Sequence, residues 1–319
     1  MSLGSNIRKR RYELNMSQQE LADLMGYKTR STIAKIESGA NDISHAKLRK
    51  FAQVLDTTYE ALTFGTEELV YETPDSAYYP TSSESRNKNA VVILAGGKSV
   101  RNHQNVPNQF IQILGKPVIV YCLEAYQNHP AVDDIYIVCL KGWEEIVQAY
   151  ANQYNITKLR GIIPGGISGI ESVKKAYESL SERYNENDVI IFQESTRPMV
   201  TVDMISKLLQ ACSLNGSATI CQSMRDNVQF IVDGYNTKYI DRESIVDLQS
   251  PEAHTLARLK EVFEKAKKQQ HPMTESCCAL LMHNLGFNIN FIEGSVNNVK
   301  IVKQEDIVVA TALLRYGEY

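Results

Sequence analysis

The stretch Ile93-Leu-Ala-Gly-Gly-Lys-Ser-Val-Arg101, continued by Pro107-Asn-Gln-Phe110, decides how this chain is to be read. An apolar run ending in two glycines and a lysine describes a buried strand that feeds a tight turn. Such a turn, lacking side chains, lets backbone N–H groups and a nearby cation approach one anionic ligand. By itself the signal is weak, and its surroundings strengthen it. Strand-like runs (AVVIL at 90–94, IYIVCL at 135–140, 159–163, DVIIF at 188–192) alternate with helical patterns at 117–126, 143–154 and 168–184. The alternation predicts an α/β class domain with a Rossmann-like, mostly parallel sheet covered by helices. Ligands on these sheets sit beyond the carboxyl ends of the strands. Gly96 and Gly97, Gly165 and Gly166, and the segment 193–198 all fall there, so three loops are expected to form one site.

A different pattern precedes this domain. Ile7, Leu14, Leu21, Leu24, Ile33, Ile36, Leu48, Phe51, Ala52, Leu55 and Leu62 recur at helical spacing, with breaks at Asn15-Met16, Gly26 and Gly39, which predicts five short helices and an all-α module. Ser17 with Glu20 reads as a capping box, and Gly26 as a left-handed turn. Thr29 is expected to cap a helix over 30–37 whose polar face carries Arg30, Ser31, Thr32 and Lys35. The boundaries follow as 1–65 for the helical module, 66–89 for a Pro- and Ser-containing tether without periodicity, and 90–319 for the α/β domain.

Charge separates the two halves. Residues 1–65 hold ten Lys/Arg against seven Asp/Glu, while the remainder holds 24 against 30, so only the first module suits a polyanion. Its modest excess implies weak binding by a single copy, since affinity for DNA grows with the number of phosphates neutralised. The cysteines Cys122, Cys139, Cys212, Cys221, Cys277 and Cys278 form no C-x-x-C pair and read as reduced, mostly buried thiols. No apolar run approaches a membrane span, and a cytoplasmic location is the expectation.

Two resemblances sharpen the picture. S-Q-x-E-L-A at 17–22, Gly26, S-T-I-A-K-I-E-S-G at 31–39 and the run 48–55 resemble the Cro/CI-type helix-turn-helix family across the whole module. The resemblance implies that Gln18, Thr29, Arg30, Ser31, Thr32 and Lys35 face a DNA operator, with Glu37 structural. From Ala90 onward, the order of motifs is similar to the methylerythritol-phosphate and ribitol-phosphate cytidylyltransferases. A-[AG]-G-x-G-x-R and P-K-Q-[FY] appear as 95–101 and 107–110, and G-G-x-x-R-x-x-S-V as 165–173. H-D-A-x-R-P appears as 193–198, R-D-T-x-K as 225–229 and T-P-Q as 250–252, while E-G-x-x-x-N-x-K-[IV] is intact at 293–301.

This second resemblance implies CTP and a sugar or polyol phosphate as substrates and a divalent cation, Mg²⁺, as cofactor. Catalysis would fall to Arg101, Lys300 and Glu194, the last also as metal ligand. Nucleotide contacts would come from Ala95, Gly96, Gly97, Lys98, Asn108, Gly165, Gly166 and Ser172, and substrate-phosphate contacts from Arg225 and Arg197. A β-arm over 217–255 would form a homodimer, which also suits paired reading helices on a palindromic operator.

Several positions depart from the family pattern. Asn108 stands where a lysine is expected, Ser99 replaces a glycine, Glu194 an aspartate, Ile167 a polar base contact, Gly169 an arginine and Gln229 a lysine. Loss of one fixed cation at the transferring phosphate is expected to slow the reaction about 100-fold or more, and Asn108→Lys is expected to restore rate. Two functions remain open on the sequence: a transcriptional regulator that binds CTP and a polyol phosphate with weakened catalysis, and a working cytidylyltransferase that also regulates its own operon.

Overall fold

The computed structural model describes residues 3–14, 16–27, 29–39, 45–57, 62, 86–98, 106–223 and 229–317. The chain divides into two compact units, Met1–Ser82 and Ser83–Tyr319. The expected tether at 66–89 lies outside the described residues as far as 85, and Asn89 already opens a strand.

In the first unit, helices α1 (Leu3–Glu13), α2 (Gln18–Met25), α3 (Arg30–Glu37) and α4 (His45–Val54) enclose Ile7, Leu21, Ile33, Phe51, Leu55 and Leu62. Leu62 apart, the expected fifth helix lies outside the described residues. The capping box forms as the residue types demand: Glu20 N–H donates to Ser17 Oγ at 3.2 Å and Ser17 N–H to Glu20 Oε2 at 2.6 Å. Gly26 ends α2 at φ 79°, where a Cβ is disfavoured.

Two expectations are corrected here. Leu14 and Leu24 are exposed; Leu24 falls outside the arc that Leu21, Ala22 and Met25 turn inward. Thr29 occupies the cap position of α3 without capping it, because its hydroxyl pairs with Ser31 Oγ at 2.7 Å instead of a backbone N–H.

Beneath α3 lies a buried ion pair. Arg11 Nε and Nη2 donate to Glu37 at 2.6 and 3.1 Å, Gln18 Nε2 donates to the same carboxylate at 2.9 Å, and Arg11 Nη1 donates to Met16 O at 2.7 Å. The geometry ties α1, α2 and α3 together, as the structural role expected of Glu37 requires.

The second unit holds a seven-stranded sheet made of β1 (Asn89–Ala95), β4 (Asp134–Cys139), β5 (Leu159–Pro164), β6 (Val189–Glu194), β7 (Ser217–Ser223), β10 (Val246–Thr255) and β11 (Phe291–Glu293). Their spatial order is β11-β7-β10-β6-β1-β4-β5. β1 pairs in parallel with β4 and β6, and β4 with β5; β10 alone runs antiparallel to its two neighbours. Near-continuous burial along β1 and β4 explains their unbroken apolar runs, since helices cover both faces of a parallel sheet. One core joins Val92, Val138, Val173, Phe192, Leu259 and Leu281; a smaller one joins Ile111, Ile113, Val118, Met199, Ile301 and Ala310. The second cluster matters for function because it holds the segment around Lys300 to the 111–118 loop, which carries the short pair β2 (Gln112–Ile113) and β3 (Lys116–Pro117).

The arm is narrower than expected. Residues 217–223 and most of 246–255 belong to the main sheet, and among the described residues of this region only β8 (Gln229–Asp233) and β9 (Asn236–Ile240) form a separate hairpin. It exposes Phe230, Ile231, Val232, Tyr235 and Tyr239. All six cysteines are free thiols and five are buried. No helix among the described residues is long and apolar enough to cross a membrane.

Candidate active site

Strand β1 delivers Ala95, buried, directly into Gly96, Gly97 and Lys98. Gln109 Nε2 donates to Ala95 O at 2.9 Å and to Gly97 O at 3.0 Å, bracing the turn from beneath. A Cβ on Gly97 would meet nothing within 4 Å, so this glycine borders open space, and Lys98 is exposed beside it. Gln109 is absent from the residues singled out by sequence; its only signal was a polar side chain inside Pro107-Asn-Gln-Phe110. Phe110 stacks on Trp143 with ring centroids 4.3 Å apart, pinning that short helical turn. Arg101 and Ser99, expected on the same loop, lie outside the described residues.

The second glycine loop meets the first. A Cβ on Gly96 would lie 3.6 Å from Gly165 Cα and 3.8 Å from Ser172 Oγ. Ser172 Oγ accepts from Gly166 N–H at 3.0 Å and donates to Ser168 O at 3.1 Å, which makes it a brace of this loop. Its hydroxyl hydrogen is therefore engaged within the protein, and the side chain shapes the turn at Gly165 and Gly166. Ser168 caps the Gly169–Leu180 helix by accepting from Glu171 N–H at 3.1 Å, and Ile167 stands fully exposed at the rim.

Gly169 explains one departure from the family pattern. A Cβ there would sit 2.1 Å from Ser276 O, so no side chain fits while the 273–277 segment packs on this helix end. Gly169→Ala is therefore expected to destabilise the second unit by about 2 kcal/mol or more through overpacking against backbone. A thermal melt indistinguishable from the parent would show that the segment gives way freely.

The third loop is built on buried amides. Gln193 accepts from Tyr126 Oη at 2.9 Å and donates to Glu194 O at 2.9 Å and Ser250 Oγ at 3.3 Å. Glu194 then projects its carboxylate between two cations: Arg197 Nε donates to Oε2 at 2.8 Å, and Lys300 Nζ donates to Oε1. Burial pushes this carboxyl up, but Lys300 and Arg197 together overcome that and hold it below the usual carboxylate range. Arg197 Nη1 donates to Asn298 O at 2.7 Å, and Asn298 Nδ2 donates to Gln249 Oε1 at 3.1 Å and Ser250 O at 2.8 Å. Arg197, only 8% exposed, thus spends two of its five N–H donors on positioning within the loop. Arg225 lies outside the described residues.

Asn108 departs furthest from expectation. It is 3% exposed, and its amide nitrogen donates to Ile301 O at 3.2 Å and Val302 O at 3.0 Å. Both amide hydrogens go to main-chain carbonyls, and the remaining atom is an oxygen that cannot donate to a phosphate.

Among the described residues no group of three or more His, Cys, Asp or Glu side chains could hold a metal. Glu194 stands as a single carboxylate, a donor set that fits Mg²⁺ only when phosphate oxygens and water supply its other ligands. On the first unit, Thr29, Arg30, Ser31 and Lys35 are exposed along α3 and Thr32 is half-buried, while Gln18 is half-buried with its amide on Glu37.

Two glycine loops in contact at the carboxyl ends of a mostly parallel sheet, with a lysine, a carboxylate and an arginine beside them, define the second unit as a nucleotidyltransferase fold. A family model described as 2-C-methyl-D-erythritol 4-phosphate cytidylyltransferase matches residues 89–316, and a helix-turn-helix model matches 7–62. The chain belongs to this cytidylyltransferase family and carries a helix-turn-helix domain ahead of it. Among its relatives, a ribitol-5-phosphate cytidylyltransferase of Lacticaseibacillus paracasei is 30% identical over 230 residues, covering 71% of this chain and 98% of the relative. A 2-C-methyl-D-erythritol 4-phosphate cytidylyltransferase of Clostridium botulinum is 28% identical over 229 residues, covering 72% and 98%. The fold is shared with the 4-diphosphocytidyl-2C-methyl-D-erythritol synthase of Anaerococcus prevotii, with a TM-score of 0.61 at 19% identity over 72% of this chain and 99% of that one.

Proposed function

We propose that the protein is a DNA-binding regulator whose second domain binds CTP and a polyol phosphate and transfers the cytidylyl group slowly. The observation that carries this reading is the meeting of both glycine loops beside Lys300, Glu194 and Arg197, together with a neutral, internally engaged Asn108 at the position of a family lysine. A phosphate oxygen of the polyol phosphate attacks the α-phosphorus of CTP in line and pyrophosphate leaves; negative charge accumulates around the transferring group, and fixed cations stabilise it. Lys300 is a described cation with an exposed side chain at this rim, as is Lys98 on the first glycine loop, and Glu194 holds Lys300 ready until the triphosphate competes for it. Mg²⁺ arriving with the nucleotide would neutralise phosphate oxygens, with Glu194 as its protein ligand.

Calorimetry with CTP, beside pyrophosphate release measured with CTP, Mg²⁺ and either ribitol phosphate or methylerythritol phosphate, tests the proposal. Binding with slow release is expected. Release at about 10 per second, an ordinary enzyme rate, would favour the working transferase, and absence of CTP binding would overturn both readings.

The DNA arm of the proposal rests on the exposed face of α3. Arg30→Ala is expected to weaken binding to an operator selected from random duplexes by about tenfold or more; an unaltered footprint would remove α3 from the groove. A homodimer through the β8–β9 hairpin is part of the same proposal, because an isolated hairpin exposing Phe230, Val232, Tyr235 and Tyr239 is marginal in water without a covering partner. Sedimentation as a dimer, converted to monomer by Tyr235→Asp, checks it.

A further inference from the structure

We infer that Asn108 is a positioning residue for Lys300, a latch that replaces the direct phosphate contact a lysine would make there. This inference rests on the reading of Lys300 as the cation of the transfer site. Lys300 lies in an irregular segment between β11 and the C-terminal helix Gln304–Tyr316, and nothing in regular secondary structure fixes its backbone. Its place is set by anchors on either side. Before it, Asn298 O accepts from Arg197 and its amide holds Gln249 and Ser250. After it, Ile301 N–H donates to Thr196 O at 2.8 Å, the Ile301 side chain is buried, and Asn108 Nδ2 closes on Ile301 O and Val302 O.

The asparagine amide, with two donors on one nitrogen and a short stem, bridges two successive carbonyls from this buried turn. A lysine at 108 would bring three donors on a flexible four-carbon stem that must either leave the interior or place a charge in it. Asn108 also shares its short turn with Gln109, which braces Ala95 and Gly97. One turn therefore sets the spacing between the glycine loop and Lys300, and a shift of the order of 1 Å in such spacing can cost about 100-fold in rate.

The latch predicts the opposite outcome to simple charge restoration. In the full-length protein, Asn108→Ala and Asn108→Lys should each lower pyrophosphate release between about 10- and 100-fold, with KM for CTP changed much less than kcat. In a Lys300→Ala background, Asn108→Ala should cost little more, because residues acting through one group are not additive. A readout independent of turnover follows Lys300 itself: after reductive methylation with ¹³C-formaldehyde, its dimethylamino signal, identified by its loss in Lys300→Ala, should move toward that of free lysine in Asn108→Ala.

A rise in turnover for Asn108→Lys, additive losses in the double variant, or an unmoved Lys300 signal would each overturn the latch. Should the parent release no pyrophosphate, the transfer reading fails alone, and the Lys300 signal still decides the latch. If Asn108→Ala does not fold, Asn108→Ser, which keeps one donor, should show the same displacement in smaller measure.

Discussion

Lys300→Ala should lower pyrophosphate release from CTP by about 100-fold or more relative to the parent, the cost of removing one fixed charge from a developing phosphoryl transition state. The effect should be chemical rather than structural. Lys300 has 43% of its side chain exposed and its described partner is Glu194, which keeps Arg197 at 2.8 Å when the lysine is lost. The melting temperature should therefore stay close to that of the parent while kcat falls, and CTP affinity should weaken in calorimetry. Glu194 bears on the pH dependence of this result. Its folded pKa lies below the ordinary carboxylate value, so the stabilisation from its ion pairs is complete above that ordinary value and disappears only as pH falls through the lowered one. At neutral pH the carboxylate is ionised, and rate changes near neutrality must come from another group. An unchanged turnover in Lys300→Ala would move the transfer site away from the third loop.

Glu37→Ala should unfold the helix-turn-helix unit. Removing the carboxylate leaves the Arg11 guanidinium, 3% exposed, without its ionic partner, and breaking one side of a buried pair costs about 3–5 kcal/mol. A small domain has only about 5–15 kcal/mol of stability in total, so calorimetry should show the first unit's transition lost or far lower and operator binding abolished, with the second unit's transition retained. The paired replacement Arg11→Met with Glu37→Leu should recover much of the stability, because apolar groups of similar size substitute for a buried pair at little cost. A loss below about 1 kcal/mol in Glu37→Ala, the range of exposed pairs, would mean that water reaches this carboxylate.

Both units were legible in the sequence for local reasons. Period and capping chemistry act within a turn or two of chain, so Ser17 with Glu20, Gly26, and the strands read at 90–94 and 188–192, which run one and two residues further to Ala95 and Glu194, follow from residues near them. The misreadings share one cause. Thr29 met Ser31 before it met a backbone N–H, Leu24 fell outside its helix's buried arc, and two strands taken for the arm pair within the main sheet. Each outcome was chosen by a competing partner or by packing, and residue type alone does not rank those alternatives.

The sequence by itself determined the two modules, the direction of the sheet, the glycine turns and the residues that carry charge. Only the tertiary structure decided which partners those groups already hold within the protein. Asn108, Ser172 and Arg197 are the right residue types for phosphate or base, and Ile301, Ser168, Glu194 and Asn298 already accept from one or more of their donors. The physical reason is that a side chain's composition sets how many hydrogen bonds it can make, while the partner is whatever packing brings within reach, in the case of Asn108 and Ile301 from 193 positions away along the chain.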